Sequence, residues 1–247
     1  MINATIEVRM TSTRLPGKPL MLAGGITMLE ILIRRLSQSR FIEKIIVATT
    51  TNKQDDPIIE FCIANNLPYF RGSEHNVLER VYAAAKQFHT DTLVQITGDC
   101  PLIDYRMVDD LIEIFNKNYP ASKVVSNTGP EISMPWGFDV QVYKADELKK
   151  VLDNSPSEED KEHVSQRFYR AEFKETYNLL HIKYGPPLNR PELRVTLDYL
   201  EDYLLIKEIV EDFGIERLKE FTAEDIVEWL DRHPAQRDLV IAKHHEG

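Results

Sequence analysis

Cysteine is scarce: Cys62 and Cys100 are too few for a disulfide framework, and the N-terminus lacks the charged, apolar and small-residue order of a secretion signal. A reducing, cytoplasmic location is therefore expected. No stretch approaches the ~18 consecutive apolar residues that would suggest a membrane span. Basic residues are in the minority, with 30 Lys and Arg against 40 Asp and Glu and a formal net charge of −10. Binding to a nucleic-acid backbone needs an excess of cations over the footprint, so that class is disfavoured, and any polyanionic ligand must be met by a local basic site. Two nucleotide signatures are missing as well. Gly17-Lys18 runs into Pro19, which breaks a G-x-x-x-x-G-K-[ST] phosphate loop, and no G-x-G-x-x-G follows a strand. There is also no Asp-x-Asp, the metal signature that a nucleotide-sugar-dependent glycosyltransferase on a similar sheet would carry.

What is present is a chain of 247 residues, 43% of them hydrophobic, enough for one packed domain over residues 1–247. The runs "NATIEV", "KIIVAT", "LPYF", "TLVQIT" and "KVVSN" read as strands. They alternate with amphipathic segments, which predicts βαβ units and a mainly parallel α/β sheet with helices on both faces. Thr27-x-x-Glu30 is a capping box ahead of Met28, Leu32 and Leu36, and Asp56-Pro57 opens a second helix. A third runs from Asn76, and a fourth carries Val108, Leu111, Ile112 and Phe115 on one face. From about Asn127 the pattern changes. Loop-like "NTGPEISMPWGFDVQVY", the charged helix "SPSEEDKEHVSQRFYR" and strand-like "TYNLLHIKY" make residues 127–191 a candidate inserted lid or dimerisation segment. "LRVTLD" then reads as a last core strand, followed by helices at Tyr199 to Val210 and Thr222 to Leu230.

In an open parallel sheet, ligands bind beyond the carboxyl ends of the strands, so the loops there deserve the search. The loop after the first strand carries Arg9, Arg14 and Lys18 around Pro16-Gly17. Three cations with exposed turn amides suit a triphosphate; the plain alternative is a solvated basic loop. "TGDCPLID" places Asp99 at a strand end, with Gly98 permitting close backbone approach. Such a carboxylate can hold Mg²⁺, or simply make a turn before Pro101. Asp198 ends "RVTLD" and is equally readable as a helix N-cap through Asp198-x-x-Glu201. Two aspartates and a cationic loop on one sheet edge would together make a metal-triphosphate site. His75 reads as a turn residue, Glu162 and His163 as a solvated helix face, Trp136 and Phe138 as packing or lid aromatics, and Cys62 as core. Cys100, beside Asp99, lacks a motif that would lower its thiol pKa, which argues against a nucleophile.

At "VRMTSTRLPGKPL" the chain resembles the cytidylyltransferases that make CMP-activated acidic sugars, including the CMP-Kdo and acylneuraminate synthetases. "KIIVATT", "RGSEHNVLERV", "TGDCPLID", "GFDVQVY", "KEHVSQRFYR" and "LRVTLDYLEDYLLIKEI" follow in the order of the branch named for the spore coat polysaccharide protein SpsF. The resemblance implies a Rossmann-like three-layer nucleotidyltransferase fold, CTP and a small acidic sugar as substrates, Mg²⁺ as cofactor, and a homodimer. It implies a triphosphate held by Arg14 and Lys18, Mg²⁺ on Asp99 and Asp198, and Asp99 in catalysis beside those two cations. Nucleotide contacts are further implied from Val8, Arg9, Ser12, Gly98 and the segment with Gly72, Ser73 and Arg80. Departures stand at Val8, where the family often has Ala, at Cys100, where Kdo synthetases have an acidic residue, and at Trp136, where SpsF-like chains often have a polar one. The last two bear on the acceptor, not on the nucleotidyl chemistry.

Overall fold

The computed structural model describes residues 1–129 and 131–245. Its first half runs β1 (Ile2–Glu7), β2 (Leu22–Ala23), β3 (Ile26–Thr27), α1 (Met28–Leu36), β4 (Lys44–Thr50), α2 (Asp56–Ala64), β5 (Tyr69–Gly72), α3 (Val77–Gln87), β6 (Thr92–Thr97) and α4 (Tyr105–Asn118). The second half adds β7 (Val124–Ser126), β8 (Gln141–Lys144), α5 (Ala145–Asp153), α6 (Glu158–Glu162), α7 (Gln166–Tyr169), α8 (Lys174–Tyr177) and β9 (Leu180–His181). Helices α9 (Leu200–Phe213), α10 (Ala223–Arg232) and α11 (Pro234–His245) close it. Helix starts follow side-chain chemistry. The Thr27 hydroxyl accepts the Glu30 N–H, the Asn76 amide oxygen accepts that of Glu79, and Thr222 and Asp225 cap α10 reciprocally. Helix α2 begins at Asp56 with no side-chain cap, because the carboxylate of Asp55 turns inward to the Thr50 hydroxyl and the Met10 N–H.

Seven strands form one sheet in the order β5-β4-β1-β6-β8-β7-β9. The first four are parallel, β8 is antiparallel to both β6 and β7, and β9 is parallel to β7. Alternation along β4 shows the three layers: Ile45 and Val47 pack with Leu29, Leu32, Ile58, Val108 and Leu111, whereas Ile46 and Ala48 meet Ala84 of α3. Segment 127–191 contributes to this sheet, since β8 lies between β6 and β7 and Phe138, Tyr143 and Phe168 are buried in their own chain.

Three expected elements differ. "LRVTLD" joins the sheet as no strand; it makes one bridge, Arg194 to Trp136, while Leu193, Val195 and Leu197 bury against residues of α9 and α10. Its period-2 pattern reports burial on one side, and its backbone pairs with Trp136 (Trp136 N–H to Leu193 O at 3.0 Å, Val195 N–H to Trp136 O at 2.8 Å) and with Asp99 (Leu197 N–H to Asp99 O at 2.8 Å). The charged helix is two short helices, α6 and α7, because the chain extends at His163 and turns Val164 inward. "TYNLLHIKY" is mostly not strand: residues 174–177 are helical, and only Leu180 and His181 pair.

Candidate active site

A cavity of about 840 Å³ opens where the loop after β1, the ends of β6 and the start of β8 meet. The chain after β1 turns on Gly17, whose φ of 76° is left-handed, and Gly17 N–H bonds back to Met10 O at 2.9 Å. That turn aims Lys18 at Asp198. Lys18 Nζ donates to Asp198 Oδ1 at 3.1 Å and to Leu197 O at 2.6 Å, and Arg14 Nη2 donates to the same Oδ1 at 2.7 Å. The Asp198 side chain is only 6% exposed. It caps no helix: the Asp202 carboxylate accepts the N–H groups of Asp198 and Tyr199 at 2.8 Å, which frees Asp198 for the cavity. Arg14 also lies over the Tyr199 ring.

Asp99 lines the cavity, and its carbonyl receives the Leu197 N–H, so Asp99 and Asp198 approach through neighbouring backbone. Gly98 lets the end of β6 lie close against β1, because a Cβ there would stand 2.7 Å from Glu7 O and 3.0 Å from Val8 Cβ. Val8, Arg9, Ser12 and Arg80 complete the lining predicted from sequence. Gly72 and Ser73 stand behind it and position Arg80: the Ser73 carbonyl accepts from Arg80 Nη1, and a Cβ on Gly72 would meet Arg80 Cγ at 2.9 Å. Arg9 is ion-paired to Glu74, whose carboxyl is held below its ordinary value by the Asn52 amide, then by Thr11 and Arg9. His75, Glu162 and His163, read from sequence as turn and solvent-facing residues, all line the cavity.

Cys100 is buried, and burial pushes its thiol well above its ordinary value, with the charges of Asp99 and Asp139 pushing the same way, which disfavours the thiolate. Cys62, buried in the core, is likewise raised to about 12 by burial alone. Asp139 escaped the sequence reading: burial pushes it up to about 6, partly opposed by the Gly137 N–H. So did Glu7, Gln95 and Gln141. Glu7 accepts from the Thr5 hydroxyl at 3.0 Å and the Gln95 amide at 3.2 Å, and Gln95 Oε1 accepts from the Tyr143 hydroxyl at 2.7 Å. Burial pushes Glu7 up to about 7 against these bonds. Cross-strand register aligns Thr5 with Gln95, Gln95 with Gln141, and Gln141 with Ser126, a polar row across β1, β6, β8 and β7. The available signal was Thr5-x-Glu7 alternating with apolar Ala4, Ile6 and Val8.

Among the described residues no group of three or more His, Cys, Asp or Glu side chains could hold a metal. Two carboxylates beside a cationic loop do fit Mg²⁺, which keeps most of its waters and takes one or two carboxylates plus phosphate oxygens.

A mostly parallel sheet whose first loop gathers cations over an aspartate of a distant segment is the arrangement of an α/β nucleotidyltransferase. A solved cytidylyltransferase from Leptospira borgpetersenii superposes with a TM-score of 0.87 at 30% identity, covering 96% of each chain. The pattern of the cytidylyltransferase family matches residues 4–227, and the chain belongs to that family. Over 240 residues it is 33% identical to an uncharacterized protein of Methanocaldococcus jannaschii, covering 95% of this chain and 92% of the other. With the spore coat polysaccharide biosynthesis protein SpsF of Bacillus subtilis it shares 29% over 235 residues, 93% of each.

Proposed function

We propose that this enzyme transfers CMP from CTP to a hydroxyl of an acceptor, with Mg²⁺ and release of pyrophosphate. The observation that carries the reading is the convergence of Arg14 and Lys18 on buried Asp198 in a cavity that also holds Asp99. The acceptor oxygen forms a bond to the α-phosphorus, the bond from that phosphorus to the bridging oxygen breaks, and the hydroxyl proton leaves to solvent. Arg14 and Lys18 orient the triphosphate and neutralise the charge that grows on departing pyrophosphate. Asp99 and Asp198 would hold the Mg²⁺ ion, whose contribution is to polarise the phosphoryl oxygen and acidify the acceptor hydroxyl. Val8, Arg9, Ser12 and Arg80, which line the same cavity, would contact the nucleotide.

An acidic sugar is the acceptor class that the resemblance implies, and it is the finer part of this proposal. The polysaccharide-biosynthesis role, a cytoplasmic location and a homodimer belong to it too; exposed Leu22, Leu200 and Leu204 offer an apolar surface for the last. No helix among the described residues is long and apolar enough to cross a membrane. The test is pyrophosphate release from CTP, Mg²⁺ and a panel of hydroxylated acceptors. Failure to bind CTP, or release that is independent of Asp99 and Asp198, would refute the reading.

A further inference from the structure

Helix α11 lies beyond residues 4–227, the span of the family pattern, yet its last turn reaches the segment that carries Asp198. It packs on α9 and α10 and seats buried Val240 in the core they share. That docking brings His244 to Asp202: His244 Nε2 stands 3.0 Å from Asp202 Oδ1 and 3.2 Å from Oδ2. The Asp202 side chain is fully buried. Its Oδ2 accepts the N–H groups of Asp198 and Tyr199, both at 2.8 Å, and among the described residues Oδ1 has no hydrogen-bond donor but His244. An ionised carboxylate only accepts, which assigns the hydrogen to Nε2 whether the ring is charged or neutral.

A second contact runs through the neighbouring ring. His244 meets the Tyr199 ring near-perpendicularly, with 5.0 Å between centroids, and Arg14 and Lys243 lie over that same ring at 5.2 and 5.4 Å. Arg14 in turn donates to Asp198 Oδ1. His244 therefore touches two supports of Asp198: the carboxylate that holds its backbone, and the ring beneath a cation that holds its side chain. We infer that His244 is a positioning residue, which fixes Asp198 and Arg14 for the metal-triphosphate site by locking Asp202 and Tyr199 from behind. The role given to Asp198 rests on the CMP-transfer reading; the tether to Asp202 does not. Without a donor on Oδ1, a buried carboxylate oxygen is left unsatisfied, and the turn at Asp198 and Tyr199 opens to hydrate it. A shift of ~1 Å in a group that positions reactants can cost about 10²-fold in rate.

The test uses the whole protein and two substitutions. His244→Phe keeps a ring against Tyr199 and removes the donor, whereas His244→Gln keeps a donor near the place of Nε2. Amide hydrogen exchange, read by NMR, should speed about 10-fold at Asp198 and Tyr199 in the Phe variant, stay unchanged at Val227 and Leu230 of α10, and return to within about 2-fold of wild type in the Gln variant. Calorimetry with CTP should show the gain in affinity from Mg²⁺ cut about 10-fold by Phe and largely restored by Gln, and pyrophosphate release should lose kcat while the acceptor KM holds. Unchanged exchange at Asp198 and Tyr199 overturns the tether, and exchange that rises equally across α10 overturns it too, since it marks undocking of the whole helix. Faster exchange with a wild-type response to Mg²⁺ overturns the role in the site and leaves His244 a support of α11 alone. A Gln variant as impaired as the Phe variant overturns the hydrogen bond as the cause. If the wild type binds no CTP, the CMP-transfer reading fails, while the exchange measurement still decides the tether.

Discussion

Replacing Asp198 by Asn keeps the side chain's size and an acceptor for Arg14 and Lys18 while deleting the charge. Two charge-assisted bonds become neutral-acceptor bonds, and each such change costs about 1 kcal/mol. Arg14 is 49% exposed, so its share is largely screened, which leaves about 1 kcal/mol in all and a fall in Tm of about 2–4 °C for a domain of this size. The fold should otherwise stand, because the backbone there is held by Asp202 and by the Leu197 to Asp99 bond. Effects on ligands should diverge. Metal-free CTP no longer competes with Asp198 for two cations and should bind about 5-fold tighter, since one unit charge at ~4 Å is worth about 1 kcal/mol even in water-like surroundings. Turnover with Mg²⁺ should fall at least about 10²-fold, and adding Asp99→Asn should make it little worse, as expected of two ligands to one ion. Calorimetry with and without Mg²⁺, melting curves and pyrophosphate release would be run on both single variants and the double. Near-normal turnover in Asp198→Asn, or fully multiplicative losses in the double variant, would refute a shared metal. Unchanged metal-free CTP affinity would refute the idea that Asp198 occupies the triphosphate's cations.

Glu7→Gln tests the buried carboxyl. Its folded pKa of about 7 lies above the ordinary 4.5, so the fold favours the neutral form and the wild type loses stability as pH rises through that window. Gln cannot ionise, so the variant should melt higher than wild type at pH 8 and about equally at pH 4; equal melting at both would show that Glu7 is not strained by burial. Gly98→Ala forces a Cβ against Glu7 O, and a loss of about 1–3 kcal/mol with depressed turnover is expected; a wild-type melt would mean that β1 and the end of β6 separate freely. The protein should scatter light as a dimer at tens of micromolar, and Leu200→Glu with Leu204→Glu should yield monomers; a wild type already monomeric would remove the apolar surface around α9 from the proposal.

The parallel half of the sheet was readable because Ala4 and Ile6, Ile45 and Val47, and Val94 and Ile96 stand two apart on one face, the period of a strand. The cationic loop was readable because its chemistry lies within a few consecutive residues. Asp198 was chosen on a partly mistaken ground: its segment alternates like a strand, but the alternation is satisfied by burial on α9 and α10. Thr5, Gln95 and Gln141 could not be joined beforehand, because only register shows that polar residues in three separate strands share one row. The same limit applied to segment 127–191, read as a candidate inserted lid or dimerisation segment: the structure buries its Phe138 and Phe168 within their own chain.

The bond from Arg14 to Asp198 spans 184 positions. During synthesis, with the N-terminal part emerging first, the strands β5, β4, β1 and β6 are all available once residue 97 is made, long before the aspartate that answers the cationic loop. A product cut short before residue 198 can own the four parallel strands and the cationic loop, yet it lacks the carboxylate that accepts from Arg14 and Lys18. The cations of the loop thus stay without that counter-charge until residue 198 has been made.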